Sequence, residues 1–252
     1  MSLQIGIFNQ SDIIEMCEKV KGQLQRYGVQ LFSGEPSTGV QLEGSGVLVE
    51  YRREMFVFTV EHVLNSCKQQ VIWLRLRDEF MRLDCRLLGA VTDETLDAGV
   101  LHIPPEFAVN YSGVQLEDAD AILQPVDPTS TVYALIGYPE SHTEIDDESG
   151  AITRMETPFL FAEVDPIVYS QHDVKPRNRL LLKRERKVPL HYASGGGVWQ
   201  LTLRGTIRKP SVQLVATFSD AGDYFAAGAR IWPHLQLARE ILNAPQEPFF
   251  TA

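Results

Sequence analysis

The chain has 252 residues, 44% of them hydrophobic and 22% charged, a size and balance that suit a globular protein able to bury its own core without disulfides or metal. With 23 Lys and Arg against 33 Asp and Glu, its net charge is −10. That argues against a general binder of nucleic acid or of anionic membranes, because phosphate recognition rests on a cationic surface. No apolar run approaches the ~20 residues that span a bilayer as a helix. The opening MSLQIGIFNQSDIIEMCEK turns acidic early and has no basic leader before an apolar core, so no secretory signal is expected and a cytoplasmic location is. Cys17, Cys67 and Cys85 are odd in number and lack CxxC spacing, which fits free thiols in a reducing compartment.

In chain order the first element reads as a helix, because Ile13, Cys17, Val20 and Leu24 recur at spacings of four, three and four and share one face. Asn9 or Ser11 can cap its start, and Gly28 falls where a left-handed C-terminal cap would sit. The texture then changes to short runs rich in Val, Leu, Phe and Thr. Strands are expected at Gly46–Tyr51, Met55–Val60, Val71–Arg77, Arg82–Gly89, Ala98–Ile103, Thr131–Gly137, Phe159–Val164, Leu180–Arg184, Val198–Leu203, Val212–Phe218 and Phe225–Ile231. Turn residues separate them at intervals of roughly 8–20 residues, the pattern of a sandwich or barrel. A second helix, Pro233–Asn243, closes the series with proline in its first turn.

Between the elements, Leu123–Ser130 carries two prolines and reads as the connection between two halves. Glu140–Gly150 reads as an acidic, solvated loop. Lys175–Lys187 holds seven basic residues against the single acid Glu185, a local reversal of the overall sign. It reads as a solvated hairpin, or as a docking surface for an acidic partner or nucleic acid.

Three local patterns carry candidate chemistry. Gly44-Ser45-Gly46-Val47-Leu48-Val49 is followed by a turn and then by Phe56-Val57-Phe58-Thr59-Val60-Glu61-His62, which puts a histidine where a strand ends and a helical turn can begin. Leu96-Asp97-Ala98-Gly99-Val100-Leu101 places an acid at the head of an apolar strand. Tyr192-Ala193-Ser194-Gly195-Gly196-Gly197-Val198 runs a serine into a glycine-rich turn before another strand. Nucleophilic acyl transfer needs a hydroxyl, an imidazole to take its proton and a carboxylate to fix the imidazole tautomer. It also needs backbone N–H groups aimed at the developing oxyanion, which a glycine-lined turn can supply. The order His, Asp, Ser is that of chymotrypsin rather than of subtilisin or the α/β-hydrolases.

On these residues the chain resembles the trypsin/chymotrypsin-like serine peptidases, especially the compact bacterial kind with few or no disulfides. Thr59-Val60-Glu61-His62 resembles that family's Thr-Ala-Ala-His, and Asp97-Ala98-Gly99-Val100-Leu101 its Asp-x-Ala-x-Leu strand. Ile136-Gly137-Tyr138-Pro139 resembles the Gly-Tyr-Pro early in its second barrel, and Ser194-Gly195-Gly196 its nucleophile turn. The likeness runs from about residue 40 to 243 and leaves the first helix outside it. It implies a mainly β fold, a chymotrypsin-like double β-barrel of the six-stranded type with an N-terminal and a C-terminal helix. The segments would be 1–28 for the helical extension, 29–123 and 124–232 for the barrels, and 233–252 for the C-terminal helix and tail.

The resemblance also assigns roles. Ser194 would be the nucleophile, His62 the base and Asp97 its orienting acid, with the N–H groups of Tyr192 and Ser194 as the oxyanion hole. Val188, six residues before the nucleophile, would lie at the base of the primary pocket and offers no partner to Lys or Arg. Protein or peptide substrates are implied, with no cofactor and no metal, and the remaining histidines (His102, His142, His172, His191 and His234) show no ligand spacing. Two departures stand out. Tyr192 replaces the family's glycine, and Ala193 replaces the acid or amide that precedes the nucleophile. Activation by a freshly cut N-terminus is therefore not expected. Instead the Tyr192–Ala193 peptide is expected to rest in a flipped, unproductive state, relieved by a regulatory partner docking at Lys175–Lys187. The rival reading from a different class is a catalytically silent barrel that binds protein, and an esterase with the same triad is a third.

Overall fold

The structure, a computed structural model, describes residues 10–35, 39–67, 71–76, 79–84, 90–93, 96–108, 111–121, 131–138, 143–145, 152–155, 158–163, 178–183, 193–202, 210–221 and 225–244. Val188, Tyr192, Cys85, His142, His172, His191 and most of Lys175–Lys187 lie outside them. Helix α1 (Gln10–Gln25) leads into a sheet of β1 (Gly28–Glu35), β2 (Gly39–Tyr51), β3 (Glu54–Thr59), β4 (Val71–Leu76), β5 (Glu79–Asp84), β6 (Ala90–Asp93), β7 (Ala98–Ile103) and β8 (Val114–Leu116). Their order is β5-β4-β1-β2-β3-β7-β6, and β8 pairs in parallel with the last residues of β2, beyond the point where β1 begins. Helix α2 (Glu61–Cys67) follows β3 almost directly, and α3 (Pro105–Ala108) is a single turn. A 3₁₀ turn at Asp118–Ala121 ends this half.

The second half is a closed barrel of β9 (Thr131–Ile136), β12 (Pro158–Glu163), β13 (Arg179–Lys183), β14 (Gly197–Thr202), β15 (Ser211–Ala221) and β16 (Phe225–Arg230), ordered β12-β13-β16-β15-β14-β9. Between β9 and β12, β10 (Thr143–Ile145) and β11 (Ile152–Met155) form a separate two-stranded ribbon. Helix α4 (Ile231–Asn243) closes the described chain. The protein is thus mainly β, and one of its two large sheets closes. In the first sheet no pairing joins β5 to β6 among the described residues, so it is an open path where a second barrel was expected. No helix among the described residues is long and apolar enough to cross a membrane.

The unbroken apolar runs arise because several strands are buried on both faces. In β3 Met55 and Val57 enter one cluster with Leu31, Leu48, Leu74, Leu101 and Ile103. Phe56 and Phe58 point the other way, into a cluster shared with β9, β14 and α4. β9 behaves alike: Tyr133 and Leu135 fill the barrel interior, while Val132, Ala134 and Ile136 face the first sheet. The shared cluster (Val47, Phe58, Val100, Ile136, Trp199, Leu235 among others) therefore joins the halves, and each fully buried large side chain contributes about 1.5–3 kcal/mol.

Helix α1 ends differently from expectation. Gly28 is the first residue of β1 and has no positive φ, so it is not a left-handed cap. Instead the Tyr138 hydroxyl donates to the carbonyls of Gln25 (3.4 Å) and Gly28 (3.2 Å). The β2–β3 hairpin turns on Arg52 and Arg53, both at positive φ (53° and 69°), the pattern of a type I′ turn, which matches strand twist. Arg52 and Arg239 both hold Asp118, which Tyr51 also contacts, and that anchors α4 to the hairpin. These bonds to its charged form hold the Asp118 carboxyl far below the ordinary carboxylate range.

Because α4 packs through fully buried Leu235, Leu235→Ala should cost about 2–5 kcal/mol. Thermal unfolding monitored by circular dichroism should show a Tm drop of about 2–4 °C per kcal/mol. An unchanged Tm would mean that α4 is not part of the cooperative core.

Candidate active site

β3 ends at Thr59, and the chain enters α2 at Glu61, which brings His62 into the first turn of a short helix. Across from it, the turn before β7 holds Asp97 at φ 50°, a left-handed conformation that Asp tolerates better than most residues. That backbone choice returns the carboxylate to the head of α2. Asp97 Oδ1 accepts from the His62 main-chain N–H at 3.3 Å and lies 3.0 Å from Nδ1, with Oδ2 at 3.2 Å. A carboxylate only accepts, so Nδ1 carries the proton and Nε2 presents its lone pair. Nε2 has no hydrogen-bond partner among the described residues. The ring is half exposed and Asp97 is partly buried.

The Asp97 hydrogen bond raises the His62 pKa above its ordinary 6.5, opposed by burial and assisted by the charges of Asp97, Glu61 and Asp220. A second histidine lies behind the first. His234 on α4 is fully buried and stacked on Phe58 at 5.2 Å. Its Nε2 is 2.8 Å from the Thr59 carbonyl and 3.1 Å from the Thr217 hydroxyl, and its Nδ1 is 3.0 Å from the Arg230 carbonyl. Burial pushes its pKa down.

Ser194 sits in a turn closed by the Gly196 N–H donating to the Ala193 carbonyl at 2.9 Å. Gly195, third in that turn, has φ 87°, and a Cβ there would lie 1.9 Å from the Ser45 carbonyl oxygen, so only glycine fits. The turn is stitched to both halves. Gly195 N–H donates to the Phe218 carbonyl, Phe218 N–H to that of Gly196, and Ser45 N–H to that of Ser194, each at 2.7 Å. Ser194 N–H itself has no acceptor among the described residues.

Ser194 and α2 converge on Gly44, where a Cβ would lie 2.6 Å from a Val63 methyl and 2.9 Å from the Ser194 carbonyl. The Ser194 hydroxyl donates to the Ser219 carbonyl at 3.3 Å, and no hydrogen bond joins it to His62. Ser219 is the extra residue of a β-bulge, since Phe218 pairs with Gly228 and Asp220 with Ala227. Bulges concentrate next to active sites because they re-aim a strand.

The structure thus brings His62 and Asp97 into contact and sets Ser194 in the adjoining turn. Tyr192 and Val188 lie outside the described residues. Residues missed by sequence reasoning are Ser45, Ser219, Asp220 and Thr217, and His234, which was set aside. Only Ser45 had a visible signal, standing between two glycines in Gly44-Ser45-Gly46. Among the described residues no group of three or more His, Cys, Asp or Glu side chains gathers as a metal site. Models of known protein families and the curated proteins give no match to this chain.

The His62–Asp97 contact makes a prediction independent of activity. An NMR titration should place the His62 pKa above 6.5, and Asp97→Asn should lower it. Equal values in both proteins would mean that the contact does not persist in solution.

Proposed function

We propose that this chain is a serine endopeptidase of the trypsin/chymotrypsin-like kind, its two sheets corresponding to that family's two barrels. The observation that carries this reading is the His62–Asp97 pair at 3.0 Å, which leaves Nε2 without a partner among the described residues. In the reaction the Ser194 oxygen bonds to the scissile carbonyl carbon while His62 Nε2 takes its proton. The carbonyl electron pair becomes an oxyanion, received by the Ser194 N–H and, in the family's pattern, by that of Tyr192. The imidazolium, stabilised by Asp97, protonates the leaving amine as the C–N bond breaks. Water then repeats the sequence and frees Ser194.

The hydroxyl must turn about its Cα–Cβ bond from the Ser219 carbonyl toward His62 for this to occur. Catalytic hydrogen bonds are often unformed before substrate binds. The same detail favours the second reading, a silent barrel that binds protein. A regulatory partner at Lys175–Lys187 belongs to the first reading.

A fluorophosphonate probe should add one adduct, mapped to Ser194, and Ser194→Ala should abolish it. His62→Ala should lower kcat/KM by at least about a thousandfold. The base must be neutral, so kcat/KM should rise with pH through an apparent pKa above 6.5. An intact mass unchanged by the probe, with peptide binding retained, would favour the silent barrel.

A further inference from the structure

Arg179 is the first residue of β13, where Leu180 and Leu182 point into the barrel and Arg179, Leu181 and Lys183 share the outer face. Across the ladder Arg179 pairs with Ala229 and Leu181 with Ala227, so only methyl groups stand on β16 between the arginine and β15. The guanidinium reaches over them. Its Nη2 donates to the Ser219 hydroxyl at 2.8 Å, and that hydroxyl donates on to the Ala227 carbonyl at 3.2 Å. Ser219 is the residue whose carbonyl accepts from the Ser194 hydroxyl at 3.3 Å. One bulged residue therefore links the cation to the proposed nucleophile.

Among the described residues Arg179 has no carboxylate partner, and its Nε is buried without an acceptor. A buried donor without an acceptor is costly, and a guanidinium pairs strongly with a carboxylate. Lys183 lies on the same outer face, and the sequence around β13, Lys175–Lys187, is basic in a chain of net charge −10.

We propose that Arg179 forms an anion subsite beside Ser194 that selects peptides carrying an Asp or Glu side chain near the bond presented to the site. This rests on the peptidase reading for its use in catalysis, but the subsite itself is a binding feature. Arg179 touches none of the three residues that would carry the chemistry and reaches Ser194 only through Ser219.

The test separates the two claims. On Ser194→Ala protein, which cannot turn over, fluorescence anisotropy compares a labelled alternating Ala-Glu decapeptide with its Ala-Gln counterpart. The Glu peptide should bind about tenfold tighter or better, the scale of one charge-assisted hydrogen-bonded pair. Arg179→Ala should erase the difference, Arg179→Lys should keep part of it, and Arg179→Glu should turn the preference toward an Ala-Lys peptide. Equal binding of the Glu and Gln peptides, or a preference that survives Arg179→Ala, overturns the proposal. Tighter binding of a phosphoserine counterpart would reassign the subsite to phosphate and overturn the carboxylate claim. Fluorophosphonate labelling of the unsubstituted protein reports separately on the peptidase chemistry, and circular dichroism reports on the fold of each variant. Failure of the labelling sinks that chemistry and leaves the peptide preference to stand or fall alone.

Discussion

Ser45 is fully buried and fixes the relation between the two halves. Its N–H donates to the Ser194 carbonyl at 2.7 Å, its carbonyl accepts from the Thr59 hydroxyl at 2.7 Å, and its side-chain oxygen accepts from the Tyr138 N–H at 2.9 Å. Thr59 ends the strand that delivers His62, Ser194 is the candidate nucleophile, and Tyr138 follows β9. One residue thus ties the strand that leads to His62, the serine turn and the closed barrel together. Each bond contributes only about 1 kcal/mol net, but leaving any of these buried groups unpaired costs about 1–3 kcal/mol. The geometry of the site is over-determined at that point. The glycines on either side follow from it, since a side chain at Gly44 or Gly46 would collide with Val63 or Val57.

The two histidines near the junction are pushed in opposite directions by their surroundings. His62 is half exposed and gains a carboxylate, so its charged form is favoured. The stability this contributes is fully present below pH 6.5 and is lost as pH rises through the elevated folded value. His234 is sealed in the core, where charging it is disfavoured. Its effect therefore runs the other way, with stability falling as pH drops below its unfolded value of 6.5. Both effects meet at Thr59, whose carbonyl faces His234 and whose strand delivers His62. The His62 ring is open to solvent and the His234 ring is not.

Much of this was legible because strand ends mark themselves. The run Phe56-Val57-Phe58-Thr59 stops at a short helix and Asp97 heads β7, and the resemblance to the trypsin/chymotrypsin-like peptidases turned those positions into an expected His62–Asp97 pair. β1 was not anticipated, because buried Gln30 and Ser33 interrupt its apolar pattern. β8 has three residues, too few to show a period. α4 starts at Ile231, two residues before the expected Pro233, since proline fits anywhere in a first turn. Ser219 was invisible, and Arg179 was seen only as part of the basic segment Lys175–Lys187, for a deeper reason. Ser219 matters through a bulge, and Arg179 through a reach across two strand boundaries, and both depend on pairing rather than on local sequence.

Ala193 shows how a departure from a family pattern can be absorbed. A carboxylate before the nucleophile would help to hold the turn only if a cation met it. Ala193 is instead fully buried and packs with Tyr133, Leu135, Val198 and Phe218 in the barrel interior. An aspartate there would be desolvated against hydrocarbon, at a cost of several kcal/mol unless it found a partner. The described part of the turn is held by other means: the positive φ of Gly195, the Gly196–Ala193 bond, and the bonds to Phe218 and Ser45. Main-chain bonds from both halves thus do the work that a side-chain ion pair does elsewhere. Such a turn forms when the halves pack together. Whatever loosens that packing therefore loosens the turn as well.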